Sequence, residues 1–580
     1  MIECAVGRGY QMKLQRRRGI GITLVLMSGV ILPGAALAAD ADALKGDIDA
    51  FFQRVQVATA GRLHWSGADS IDLRDEGSDA VARISNGHLA LRSPSGDAKP
   101  VATITLDRID IRRRPATAGS NMAELVVLLP TTSTVTTDDG NELTLTLKDA
   151  NATALLEGAA ERQREATLDI AGGQLDEKSH AVRVSFGPLS MHWKTIRGDD
   201  GSWRAPGDFA VEKLAFLIPE APLAGEVERI AYQAEAAGPN FSALDAFRDK
   251  ANELRENFRD EPQKRLREMA ALLPQMLDLF NSSKGIVTVE QVRAKRPDGE
   301  TLVSLSKAWF GGEGRRDGDK AAFRMTLGHD GLALALSLLS EHQVPNSIEL
   351  DFGVEDIALA AIRNLAAAGQ AAAAANPDDQ QKYVPQIIAA AMSLKPVFHL
   401  YDALANFKDV GIAASGKAER APPLPIGYAA AGDVTVSGFD ALGQILTARD
   451  ARMYLALLKF LGEPGGNAAG DKIMRFHLAS QLGKPITVNG NDLGEWFSGK
   501  TPAGQPRLLR LTDPPATGDD VRAVQKAIMS DGHADGIYDV VTALAVMRFQ
   551  KAHGLNINGV VNAQTREKLG LTPPPPPAKN

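Results

Sequence analysis

The chain has 580 residues, too many for one ordinary hydrophobic core, so two or more domains are expected. Hydrophobic residues make up 44% and charged residues 23%, which excludes a wholly disordered chain, and 5% aromatics leaves few stacking platforms for sugars or bases. The formal net charge is −7; residues 1–38 hold five basic and one acidic side chain, so the remainder stands at −11, a poor match for nucleic acid or anionic head groups, and no nucleic-acid partner is expected.

The N-terminus reads as a signal peptide over residues 1–38. Lys13, Arg16, Arg17 and Arg18 precede an apolar run from Ile20 to Leu32. Pro33 and Gly34 close the run, and Ala36-Leu37-Ala38 supplies a small-x-small cleavage pattern. Met12 is a second candidate start. The segment implies export to the periplasm or cell envelope. An uncleaved anchor is the alternative, weakened by the shortness of the run and by Gly21, Gly29 and Pro33. The single cysteine, Cys4, falls in this segment, so a mature chain would carry no disulfide, thiolate nucleophile or cysteine metal ligand.

Residues 39–498 read as a β-rich domain with helical insertions. Apolar and polar residues alternate over 101–111, 142–148 and 181–186, the period-two mark of strands with one buried face. A short pattern recurs: apolar, acidic, any residue, apolar. It occurs at Leu106 to Ile109, Val211 to Leu214, Val227 to Ile230, Val289 to Val292 and Val354 to Ile357. Its irregular spacing excludes a solenoid of fixed period. Two readings stay open: chance likeness among short strands, or a long sheet grown by loose repetition. Helices are expected around Leu244 to Phe258, over Ala360–Ala375, and over Ala441–Leu461 with Asp440 as N-cap.

No catalytic group can be assigned in this region. Ser304 and Lys307 fit a serine-x-x-lysine pattern, but 301–307 alternates like a strand, which would turn the two side chains to opposite faces. The histidines are scattered, without metal-ligand spacing. No phosphate loop or dinucleotide fingerprint occurs, and no cofactor is expected.

Residues 499–516 hold Pro502, Pro506, Pro514 and Pro515 and read as a linker; 572–580 is a polyproline tail. Between them, 517–571 reads as three short helices. The first begins near Asp519 and buries Val521, Val524 and Ile528. The second follows Asp539, contains Leu544, Val546 and Phe549, and ends at Gly554. The third follows Asn562, with Leu569 completing the core. Asp535-Gly536 and Asn558-Gly559 mark the turns. The whole chain is thus expected to be α+β: a large, partly repeated antiparallel sheet with inserted helices, then a small three-helix domain.

This last segment resembles the peptidoglycan-binding domain found at the ends of cell-wall hydrolases. The resemblance rests on Gly518 to Val521, Val524-Gln525, Asp535 to Tyr538, Thr542, Ala545-Val546, Phe549-Gln550, Gly554-Leu555, Gly559 to Val561 and Thr565, in order and without gaps. Three positions depart from the family pattern: Asp539 and Asn562 stand where glycine is usual, and Asn558 where aspartate is usual. The resemblance implies peptidoglycan as partner, with Asp535, Tyr538, Gln550 and Asn558 as candidate ligand contacts. The expected function is wall binding by an exported protein whose large domain is structural or partner-binding. A hydrolase with an unfamiliar active site and a lipid-binding envelope factor are the alternatives. The sheet texture of the large domain bears only a general likeness to β-rich proteobacterial envelope proteins, and an envelope lipid or envelope protein is its expected partner.

Overall fold

The computed structural model describes residues 63–571, together with positions 44, 45, 48 and 52, but not 93–99, 117–121, 158–161, 179–181, 199–201, 219–222, most of 241–277, 297, 336–341, 375–380, 422–427, 447–448, 468–469, 482–483, 498–506 or 530–533. The proposed signal segment and the polyproline tail lie outside the described residues. Among those residues no helix is long and apolar enough to cross a membrane. The architecture is α+β, an extensive antiparallel sheet with a small helical C-terminal region. Two compact units divide it: residues 1–307 with 313–316, and residues 308–312 with 317–580.

In the first unit the strands are β1 (Leu63–Glu76), β2 (Asp79–Arg92), β3 (Pro100–Pro115), β4 (Met122–Leu128), β5 (Thr132–Thr137), β6 (Glu142–Glu157), β7 (Arg162–Glu177), β8 (Arg183–Phe186), β9 (Leu189–Lys194), β10 (Ile196–Arg197), β11 (Trp203–Ile218), β12 (Leu223–Ala237) and β13 (Ser282–Lys295). They pair antiparallel in chain order, except that β4 and β5 together fill the place of one strand between β3 and β6, as β8 and β9 do between β7 and β11. One face is apolar and buried. Leu44, Ile48 and Phe52, at helical spacing, are buried against it, and the Phe52 ring stacks on Trp65 at 3.8 Å.

A crease crosses this sheet. In β2 the buried residues include Ala80, Ala82 and Ile84, then Leu89 and Leu91, with Val81 buried as well; in β3 they include Ala102 and Ile104, then Ile109 and Ile111; in β6, Leu143, Leu145 and Leu147, then Ala150, Ala152, Ala154 and Leu156. The numbering changes parity in mid-strand, yet the same face stays inside. Side chains three apart in a regular strand face opposite ways. The pleat is reset by residues with left-handed backbone: Asn86 in β2, Asp149 in β6, Lys213 in β11 and Gln291 in β13. The breaks at Pro130 and at Gly187-Pro188 fall on the same line, since Leu129 donates to the Ala150 carbonyl and Gly187 to that of Glu212. In three of its five occurrences the apolar–acidic–x–apolar pattern has this physical meaning. Lys213, Gln291 and Asp356 each sit at its third position with positive φ, which lets both apolar residues face one side.

In the second unit the strands are β14 (Thr301–Asp317, shared with the first unit), β15 (Lys320–Asp330), β16 (Ala333–Leu334), β17 (Ser347–Ala358), β18 (Val397–Asn406), β19 (Gly411–Arg420), β20 (Tyr428–Ser437), β21 (Glu463–Gly466), β22 (Lys472–Gln481), β23 (Thr487–Val488) and β24 (Asn491–Asp492). An antiparallel run joins β15, β17, β18, β19, β20 and β22. Ser304 and Lys307 lie in β14, an extended strand as expected. The expected alanine-rich helix is α1 (Leu359–Ala374), followed by α2 (Val384–Ser393). The helix expected over 441–461 is two pieces, α3 (Leu442–Ile445) and α4 (Arg449–Leu461). Asp440 makes no capping bond there; its carboxylate pairs with Lys459 instead.

Candidate functional site

The C-terminal module contains α6 (Asp519–Ile528), α7 (Val540–Ala552) and α8 (Ala563–Lys568), and it follows the one-turn helix α5 (Gly494–Phe497). A two-stranded ribbon, β25 (Ala516–Thr517) with β26 (Ile537–Tyr538), ties its start to its first turn. Asp539 and Asn562 cap the helices that follow them by accepting from Thr542 N and Thr565 N, so the two departures from glycine serve as N-caps.

The module is built from one corner used twice. In the first half Gln525, 1% exposed, donates from Nε2 to Asp535 Oδ1 at 2.8 Å, to the Ile537 carbonyl at 3.0 Å and to Thr542 Oγ1 at 3.1 Å, while its Oε1 accepts from Gly536 N at 2.8 Å. In the second half Gln550 donates to Asn558 Oδ1 at 3.0 Å, the Val560 carbonyl at 3.0 Å and Thr565 Oγ1 at 3.2 Å, and accepts from Gly559 N at 2.9 Å. Gly536 and Gly559 hold φ of 81° and 65°, which a side chain would resist. A buried amide thus satisfies each turn's backbone from inside, where water cannot reach.

This arrangement relocates most of the expected ligand contacts. Gln550 and Asn558 are fully buried in the second corner, and Tyr538 is fully buried with its hydroxyl donating to the Gly559 carbonyl at 2.8 Å. Burial pushes the Tyr538 phenol far above its usual range, so it stays neutral. These three belong to the frame, not to an open surface. Asp535 is exposed at the first corner, where its Oδ1 also accepts from Ile537 N. Beside it the Ile537 and Val541 side chains are 40% and 58% exposed. Phe549, expected in the core, is half-buried and stacks on His553 at 4.0 Å; the buried position belongs to Met547.

Residues upstream of the module share its core. Leu509 and Leu511, in the stretch read as a linker, are buried in one cluster with Val521, Val524, Tyr538, Val546, Leu457 and Phe476. Leu509 bridges Val561, and Val561 N donates to the Leu509 carbonyl at 2.8 Å. Arg507 forks onto Asp520, with both nitrogens at 2.8 Å, and this pairing holds the Asp520 carboxyl below the usual carboxylate range. Burial lowers the Arg566 guanidinium, which donates to the Arg507 carbonyl at 3.0 Å. From further back, Asn556 and Asp492 exchange two bonds, of 2.6 and 2.8 Å. Glu495 accepts from Asn558 and Asn562, and the Trp496 indole donates to the Asn558 carbonyl. Sequence spacing carried no signal for these partners, because they come from more than sixty positions away.

Residues 517–569 match the family model for a peptidoglycan binding domain. No curated protein and no solved structure matches the chain. The C-terminal segment is therefore similar in sequence, at the spacing its frame requires, to modules that bind peptidoglycan.

Proposed function

We propose that this is an exported protein of the periplasm or cell envelope, held at peptidoglycan by its C-terminal module. On this reading residues 39–498 form a non-catalytic structural or partner-binding part. The observation that carries the reading is the family match laid on a complete frame, with both corners satisfied by buried glutamines. We place the start of the module at Arg507, not at 517, because Leu509 and Leu511 complete its core.

A lipid-binding role is the second reading. It is favoured by Phe323, Val354 and Phe398, adjacent in register on β15, β17 and β18, with the two phenyl rings 41% and 44% exposed.

The test is co-sedimentation with purified sacculi. The full chain pellets, a chain ending at residue 506 stays in solution, and no soluble muropeptides are released. Pelleting of the truncated chain overturns the wall reading; release that survives purification overturns the non-catalytic one.

A further inference from the structure

The second corner of the module already grips a carboxylate, and that carboxylate belongs to the chain itself. Asn558 is fully buried, and its Oδ1 is used inside, by Gln550 Nε2 and by Val560 N at 2.9 Å. Its Nδ2 donates to Glu495 Oε2 at 2.8 Å. Asn562 accepts from Thr565 N through Oδ1 and donates from Nδ2 to both Glu495 oxygens at 3.1 Å. Two side-chain amides therefore hold one carboxylate, next to a backbone carbonyl that takes the Trp496 N–H.

The first corner cannot do this. Asp535 and Asp539 stand in the places of Asn558 and Asn562, and an ionised carboxylate offers no donor to another. The grip exists because of asparagines at 558 and 562, the two departures from the family pattern in this half of the module. Glu495 is presented by a single helical turn whose Glu495 and Trp496 carbonyls accept from Arg510 at 2.6 and 3.0 Å.

We propose that the Asn558–Asn562 corner is a binding site for the free carboxylate of a peptide end, held shut by Glu495 and Trp496 until such a ligand displaces them. The proposal rests on the wall-binding reading, since peptidoglycan stem peptides end in carboxylates and carry amide N–H groups. Exchange replaces one carboxylate with another and one N–H donor with another, so the hydrogen bonds balance. What favours the closed state is tethering, which gives Glu495 an effective concentration on the order of millimolar. A buried Asn558 Nδ2 left empty is costly, which favours refilling the corner when Glu495 leaves.

Calorimetric titration of the full chain with N-acetyl-D-alanyl-D-alanine, and with its C-terminal amide, tests this. Glu495→Ala lowers the Kd for the carboxylate at least tenfold and leaves that for the amide unchanged; Glu495→Gln changes it less, in the same direction. Adding Asn562→Asp to Glu495→Ala abolishes the gain. Equal Kd in wild type and Glu495→Ala overturns the proposal. So does loss of the module's melting transition in both Glu495 variants, which makes Glu495 a structural support. Sacculus pelleting of the wild type, run alongside, separates the two readings. A wild type that does not pellet overturns wall binding, whereas one that pellets while the variants show no gain overturns the corner alone.

Discussion

Gln525 and Gln550 occupy the same place in two copies of one corner, and each closes its turn by donating to three acceptors and accepting from a glycine N–H. Neither side chain reaches solvent. The module's polar residues therefore hold it together before they meet any ligand.

Gln550→Leu should unfold the module. It leaves Asn558 N and Gly559 N without the acceptor that Gln550 supplied, at about 1–3 kcal/mol for each buried orphan. Chemical denaturation should show the transition of residues 507–571 lost or shifted by several kcal/mol. A shift under about 1 kcal/mol would contradict the frame.

Tyr538 should act through stability. Tyr538→Ala opens a cavity at a fully buried site and should cost about 3–5 kcal/mol. Tyr538→Phe removes one hydrogen bond, to the Gly559 carbonyl, and should cost about 1 kcal/mol. Sacculus binding of the Phe variant should equal wild type when measured below its melting temperature.

The open surface of the first corner should decide wall affinity. Ile537→Asp and Val541→Lys replace exposed apolar side chains and should leave the melting temperature within a degree or two of wild type. Both should weaken pelleting with sacculi. Unchanged pelleting in the double variant would remove this corner as a contact.

Acid should loosen the module through Asp520. Its carboxyl titrates below the usual value in the folded chain because Arg507 bonds it. The Asp520–Arg507 stabilisation is therefore present above the unfolded carboxylate pKa, about 3.9, and is lost as pH falls through the lower folded value. Asp520→Asn should flatten that acid limb and leave the profile above pH 6 parallel to wild type.

The crease makes a separate prediction. Asp149 holds φ of 44°, a conformation that costs a β-branched residue about 1–2 kcal/mol. Asp149→Val should destabilise the first unit by that order, while Asp149→Gly should be neutral or mildly stabilising. Thermal melts of the two variants decide it.

Much of the local structure was legible in the sequence. Period-two alternation located β3, β6 and β8, and short-range capping set the starts of α7 and α8 to within a residue, because Asp539 and Asn562 need only the amide three positions on. The recurring four-residue pattern was visible, but its meaning was not. A positive φ at Lys213 or Gln291 leaves no mark in residue type, and only the register across neighbouring strands shows the crease. The family match at 517–569 follows from the same local spacing.

Tertiary structure decided what those residues do. Tyr538, Gln550 and Asn558 are polar near turns, which in sequence reads as surface; burial and long-range bonds place them inside. Pro502 and Pro506 made residues 499–516 look like a spacer, yet Leu509 and Leu511 insert into the module's core. Glu495 reached Asn558 and Asn562 only through folding. Capping and alternation act between near neighbours and are written in order along the chain. Burial and the partner of a side-chain amide depend on which distant segments the fold brings together, and no local pattern encodes that.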